Sequence, residues 1–292
     1  MSNYDDLLNN DPTGGQMISK DEYAAKKQAQ REAVFALSDS TALDVAVDCE
    51  RFCHYLDVQS QFDRYSTVNA LLILAQNPEA TRLGDFDHWK NLGGFVKPGQ
   101  KGISILEPHE YTKEDGTPGI GYNVKKVFDI SQIDTRKMKV TPVPNYTERQ
   151  LLAALINKAP VKISGVDELH GDHGAMIDSD THEIYVRKGM GFAKTFHSVA
   201  QEIALLDLAT GPDAPSDPFF SSYCASYLLC KKFGVDTQNF NFVSAPTIFD
   251  TENAQAIKAE LSLIRNAADN IAGRMVKQLE VANKTARHQD AR

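Results

Sequence analysis

Absences set the first limits on this chain. Four cysteines in 292 residues are too few for a disulfide framework, and neither Cys49 with Cys53 nor Cys224 with Cys230 has C-x-x-C spacing. Buried thiols in a reducing cytoplasm are therefore expected. No apolar run approaches the roughly 18 residues that a membrane span needs. The opening "MSNYDDLLNNDPTGG" lacks the basic-then-apolar order of a secretory signal. Positive charge is scarce as well: 31 Lys and Arg face 39 Asp and Glu, a formal charge of −8. That balance argues against a protein coated in basic surface for nucleic acid. There is no internal repeat, no G-x-S-x-G elbow, no phosphate loop and no dinucleotide fingerprint. What remains is an ordinary globular composition, 42% hydrophobic and 24% charged, in a chain long enough for two domains.

The charge is unevenly spread. Residues 88–140 hold 9 Lys/Arg against 6 Asp/Glu, whereas residues 1–87 hold 7 against 15 and residues 141–292 hold 15 against 18. The one basic segment is also rich in glycine turns, and a local patch steers phosphate even on an acidic protein. Residues 1–18 are polar and turn-rich, and read as a disordered terminus. "SKDEYAAKKQAQREAVFAL" predicts a helix opened by a Ser19/Glu22 capping box. A second helix is predicted over "STALDVAVDCERFCHYLDV" and a third over residues 66–76, stopped by Asn77-Pro78. From Phe95 the pattern changes to short strands. "KPGQKG" is a turn, "ISILEP" a strand, "KEDGTPGIG" a hairpin loop and "YNVKKVFDI" the return strand. The prolines of "TPVPNYTERQ" place a domain boundary near residue 145. Beyond it the pattern predicts a helix at 147–157, a strand "VKIS", a hairpin around Asp178 and Thr181, and a helix at 193–209. The helix "FFSSYCASYLLCKKFG" and one long amphipathic helix complete the chain.

Between Arg64 and Gln132 a set of motifs falls in a definite order. These are Tyr65-Ser66-x-x-Asn69 at a helix start, Gln76-x-Pro78 at its end, the single Trp89, "VKPGQKGI" before a strand, and "VFDISQID". Together they resemble the N-terminal domain of the ArdC-type antirestriction proteins. The resemblance implies a single-stranded DNA-binding module of plasmids and conjugative elements, followed by a zincin-like metallopeptidase domain. Single strands are held by positive charge and by base stacking on aromatic faces. Lys97 and Lys101 flank a glycine turn whose N–H groups can approach phosphate, and Lys90 adds charge nearby. Tyr65 and Trp89 are the stacking candidates, with Arg64, Asn69 and Gln132 able to contact bases or backbone. Each has a plainer reading: Trp89 as core, Asn69 and Gln132 as loop ties, the lysines as solvated turn residues. Gly94 stands where the family has an arginine.

The resemblance also directs attention to "KTFHSVAQEIALLDLA". A zincin helix carries H-E-x-x-H, with two histidines one turn apart on zinc and the glutamate activating water. Aligning Glu202 with that glutamate puts Gln201 and Leu205 at the histidine positions, and Tyr223 where the next helix supplies a glutamate ligand. Leucine cannot bind zinc and neutral glutamine is a poor ligand. A second register, His197-Ser198-Val199-Ala200-Gln201, keeps one histidine but loses the base and the second histidine. His170, His173 and His182 lie in the locally ligand-rich "HGDHGAMIDSDTH" and read as exposed turn residues. Phe196, Val199, Ile203 and Leu206 are expected to be buried, with Leu205 filling the place of the metal and Glu202 left as a structural or surface carboxylate.

The sequence thus predicts an α+β protein. Residues 19–145 form the ArdC-like unit, 146–245 the degenerate zincin-like unit and 246–292 a C-terminal helix. The expected function is single-strand binding by a cytoplasmic accessory protein of a mobile element. It would need no cofactor and perform no hydrolysis, with a DNA-processing or restriction protein as a further partner and no membrane contact. The alternatives are an active zinc metallopeptidase with unusual ligands and a protein-binding scaffold that binds no DNA.

Overall fold

The computed structural model describes residues 19–113, 115–138, 145–211, 213–249 and 252–290, with the side chains of Pro246 and of residues beyond 282 outside that description. The expectations for residues 1–18 and for the prolines at 142 and 144 fall outside the described residues. Among those described, eight α-helices and three small sheets make an α+β fold.

Helix α1 (Lys20–Val47) opens with the expected capping box, Ser19 and Glu22 each bonding the other's backbone N–H. The expected break near residue 38 is absent. Ser38, Ser40 and Thr41 turn their hydroxyls onto the carbonyls of Phe35 and Leu37, so these turn-forming residues stay in the helix. The chain breaks instead at Asp48, whose carboxylate accepts from Glu50 and Arg51 N–H and starts α2 (Cys49–Gln61). Helix α3 (Thr67–Gln76) is capped by Ser66 and ends at Asn77, before Pro78.

Strand β1 (Leu83–Gly84), helix α4 (Phe86–Asn91) and strand β2 (Phe95–Val96) lead into a long antiparallel hairpin. Its strands β3 (Ile103–Thr112) and β4 (Pro118–Asp129) pair from Ile103↔Val127 to Thr112↔Pro118, and both run further toward the turn than the predicted loop allowed. A single 3-10 turn leads to β5 (Ile133–Asp134), which pairs with β2. Trp89, Phe128 and Ile133 form a small core beneath these turns.

In the second half, α5 (Glu148–Ile156) precedes β6 (Lys162–Val166), β7 (Ala175–Asp178) and β8 (Glu183–Arg187). They form a sheet of order β6-β8-β7, parallel on one side of β8 and antiparallel on the other. Helices α6 (Phe192–Thr210) and α7 (Pro218–Phe233) pack on each other, and α8 (Ala254–Asp290) closes the chain.

One continuous hydrophobic cluster runs from Ala42 to Leu279 through both halves. Phe52 of α2 meets Phe220, Phe242 and Phe249 with ring centres 5.5–5.6 Å apart. Helix α8 is the spine: Ile257, Leu261, Ile264, Ala268, Ile271 and Met275 recur at three- and four-residue spacing and are buried. Buried Lys258 reaches Asp39 of α1, Arg265 donates to the Asp63 carbonyl at 3.0 Å, and Arg274 donates to the Asn157 carbonyl at 3.1 Å.

Candidate nucleic-acid interface

The start of α3, the β1–α4 corner and the base of the β3–β4 hairpin enclose a cleft of about 540 Å³. Arg64, Tyr65 and Asn69 line it, joined by His88, Tyr122 and Lys125. Arg64 is exposed and Tyr65 half-buried. The Tyr65 hydroxyl is shifted upward in pKa, first by burial. Lys125 forms ion pairs with Asp85 at 2.9 Å and Glu107 at 2.8 Å, which keep it protonated well above the usual lysine range. Asp85 also accepts from His88 N–H, and this bond is the first cause of its lowered pKa. The imidazole of His88 lies so close over Gly84 that a Cβ there would stand 2.3 Å from it. The cleft floor therefore depends on that glycine.

Asn69 serves the fold. Its side-chain amide donates to the Leu106 carbonyl at 2.9 Å and accepts from Leu106 N–H at 2.8 Å. Gln76, seven residues on, does the same to Ser104. Residues 104 and 106 are alternate positions on β3, so two amides spaced by two helical turns stand in for a neighbouring strand. The edge of β3 is closed by side chains, which satisfies groups that would otherwise invite another strand.

The other predicted contacts divide in the same way. Trp89 is fully buried and donates from Nε1 to the Phe128 carbonyl at 3.0 Å. Arg82 lies over its ring, 5.5 Å from the centre. Gln132 accepts from Asp129 N–H and donates to the Lys101 carbonyl, both at 2.8 Å, fastening the "KPGQKG" turn. Lys97 is exposed, although its ammonium donates to the Ser131 carbonyl at 2.9 Å. Lys90 and Lys101 are exposed too. None of Lys90, Lys97, Lys101 and Gln132 lines the cleft. Gly94 has no room for an arginine, since a Cβ would meet Ile133 at 2.7 Å and Met138 at 2.9 Å. Sequence reasoning missed His88, Tyr122 and Lys125. Strand alternation in "YNVKKVFDI" carried a signal for Lys125, because it pairs across from Ile105 on the cleft side.

The model of the N-terminal domain of anti-restriction factor ArdC matches residues 48–144, a span that contains this entire cleft. Over that segment the chain is similar to the ArdC type. It is also similar to the uncharacterized protein pXO2-81 of Bacillus anthracis, 24% identical over 82% of this chain. The chain spans about half the length of that curated relative, 50%. Two crystal structures of the antirestriction ArdC protein from the R388 plasmid resemble the fold. The Mn(II)-bound one is 16% identical with a TM-score of 0.51, covering 72% of this chain and 85% of the other. The metal-free one is 17% identical with a TM-score of 0.48, covering 73% and 86%.

The other place singled out by sequence is the α6–α7 pair. Phe196, Val199 and Ile203 are buried as expected and Leu206 is partly so. Tyr223, however, meets His197: their rings are 5.5 Å apart. The register in which His197 and Gln201 face α7 is therefore the one the geometry favours. The space beside Tyr223 is filled by Phe240 and Phe242, at 4.9 and 5.4 Å, and not by Leu205, which is half-buried elsewhere on α6. His197 Nδ1 lies 2.9 Å from Ser226 Oγ. The serine hydroxyl donates to the Tyr223 carbonyl, so the imidazole donates from Nδ1 and Nε2 is its basic nitrogen. Burial, then Lys194, lowers the His197 pKa to about 4. Tyr223 accepts from Asn241 N–H at 2.8 Å.

Glu202 faces away from this pair. Its carboxylate accepts from Ile177 N–H of β7 at 2.9 Å, and burial raises its pKa. One imidazole with serine, glutamine and tyrosine around it does not fit a zinc or manganese site. Among the described residues no group of three His, Cys, Asp or Glu side chains comes together to hold a metal. His170, His173 and His182 are exposed.

Proposed function

We propose that the chain binds single-stranded DNA in the cleft built from Arg64, Tyr65, His88, Tyr122 and Lys125, as an accessory protein of antirestriction type. The observation that carries this reading is the convergence of cationic and aromatic side chains in an open cleft inside the ArdC-matched segment. Arg64 supplies charge for phosphate, and Tyr65 supplies a partly exposed ring. Lys125 is fixed between two carboxylates, so its role is to shape the cleft floor more than to attract phosphate. A second cleft, of about 550 Å³, fits a single strand less well, since its two lysines are paired with Asp57 and Asp63, Glu79 leaves a carboxylate in excess, and no tyrosine, phenylalanine or tryptophan lines it.

The second half is read as a zincin-like domain without hydrolytic chemistry, kept for contacts with another protein such as a DNA-processing or restriction enzyme. Support comes from the donor set around His197 and from the use of Glu202 as a tie to β7. Two measurements test the whole reading. Titration with labelled single- and double-stranded oligonucleotides at two salt concentrations should give tighter, salt-weakened binding of the single strand. Equal affinity for both, or none for either, overturns it. Metal analysis of protein purified without a metal-affinity tag should give no stoichiometric zinc; finding it would restore the metallopeptidase alternative.

A further inference from the structure

Beyond the cleft, the β3–β4 hairpin continues as an arm. Residues 107–112 of β3 are all exposed, and on one face of this arm His109 pairs across from Gly121 and Tyr111 across from Gly119. Both rings lie down over those glycines. A Cβ at position 121 would stand 2.7 Å from His109 Cε1, and one at position 119 would stand 2.8 Å from Tyr111 Cζ. Any side chain at either position would lift the ring from the strand. Gly119 is buried beneath its ring while Tyr111 remains 48% exposed. Each ring therefore packs against bare backbone on one side and leaves part of its surface to solvent. The two centres are 6.4 Å apart and the ring planes are tilted 45° to each other.

Strand alternation puts residues 109 and 111 on the same face as Ile105, Glu107 and Lys125; these three line the cleft, which wraps the strand edge to take in Leu106, Pro108 and Tyr122 from the other face. From Ile105 and Glu107 of the cleft the row continues onto the arm without changing face. Helix α1 reaches the opposite face, where Phe35 meets Tyr122 edge-on at 5.9 Å. Exposed aromatic rings carried on a sheet are a recurrent way of stacking unpaired bases. We infer that His109 and Tyr111 form a base-stacking platform that extends the cleft along a single strand. This rests on the single-strand reading above. A ring covering a glycine also steadies a hairpin by itself, so the test separates stacking from hairpin stability.

The full-length chain is titrated with a labelled oligothymidylate of about 20 nucleotides and with an abasic strand of the same length. Wild type should prefer the strand with bases. Tyr111→Leu covers Gly119 but has no π face; together with His109→Ala it should weaken binding of the base-bearing strand by roughly 5- to 100-fold per ring. Binding of the abasic strand should be unchanged, and Tyr111→Phe should bind like wild type. Melting curves confirm that each variant folds. If wild type prefers the base-bearing strand and the folded double variant retains that preference, the platform is refuted while the cleft reading stands. If wild type binds neither strand, the cleft reading itself fails and the platform with it.

Discussion

The cleft at the hairpin base and the α6–α7 pair are made of similar residue types, with tyrosine, histidine and a side-chain amide in each. They differ in what covers them. In the cleft Arg64 and Tyr122 are exposed and Tyr65 half-buried, whereas His197 and Tyr223, also half-buried, have their rings packed against Phe240. Arg64 and the tyrosines leave more of this chemistry open to a ligand in the first place, whereas in the second more of it is taken up by ring packing. The contrast teaches that a polar motif acquires its role from its neighbours' free valences, and these can be tested one by one.

The largest effect is expected where a site candidate proved to be core. Trp89→Ala should cost about 3–5 kcal/mol of stability through lost burial and a cavity, read from urea melts. A normal melt combined with lost binding would return the ring to the interface. Next comes acid sensitivity at the ring-packed site around His197. The folded His197 has a pKa of about 4 against about 6.5 when unfolded. The unfolded chain therefore takes up a proton that the folded chain refuses, and stability falls as pH drops from about 6.5 to 4. The contribution reaches about 3 kcal/mol by pH 4. His197→Phe should flatten that limb of the stability curve, and an unaltered limb would show that packing does not hold the imidazole neutral.

Asn69→Ala should cost about 2–3 kcal/mol by leaving the Leu106 N–H and carbonyl unpaired. Such a loss would separate this strand-edge tie from a DNA contact. Smallest of all is Glu202→Gln, expected to change stability by less than about 1 kcal/mol, because the amide oxygen still accepts from Ile177 N–H. A larger drop in a melt would give the carboxylate a role that this bond does not explain.

Much of the fold was legible in local chemistry. Ser19/Glu22 and Asn77-Pro78 mark helix ends through backbone groups within a few residues, and the structure places them as expected. The helix boundary at Asp48 was not legible, because the hydroxyls of Ser38, Ser40 and Thr41 bond either to a turn or back to a helix, and packing decides. The site was half legible. Arg64 and Tyr65 line the cleft, but Asn69 and Gln132 answer backbone groups 37 and 31 residues away. No spacing rule reveals partners that distant. The register on α6 was misjudged for the same reason: Glu202 suggested the motif, whereas the place of His197 depends on contacts with Tyr223 and Phe240 from elsewhere in the chain.

The central claim is that a single strand lies in the first half's cleft and is held there partly by charge. Among the described residues no carboxylate pairs with Arg64, which makes its guanidinium the cation most available to phosphate in that cleft. The most direct measurement is the salt dependence of single-strand affinity for wild type and Arg64→Ala. The account predicts weaker binding by the variant and a logarithmic salt slope shallower by about one, with its melting curve unchanged. Identical affinity and slope for the two proteins would contradict it.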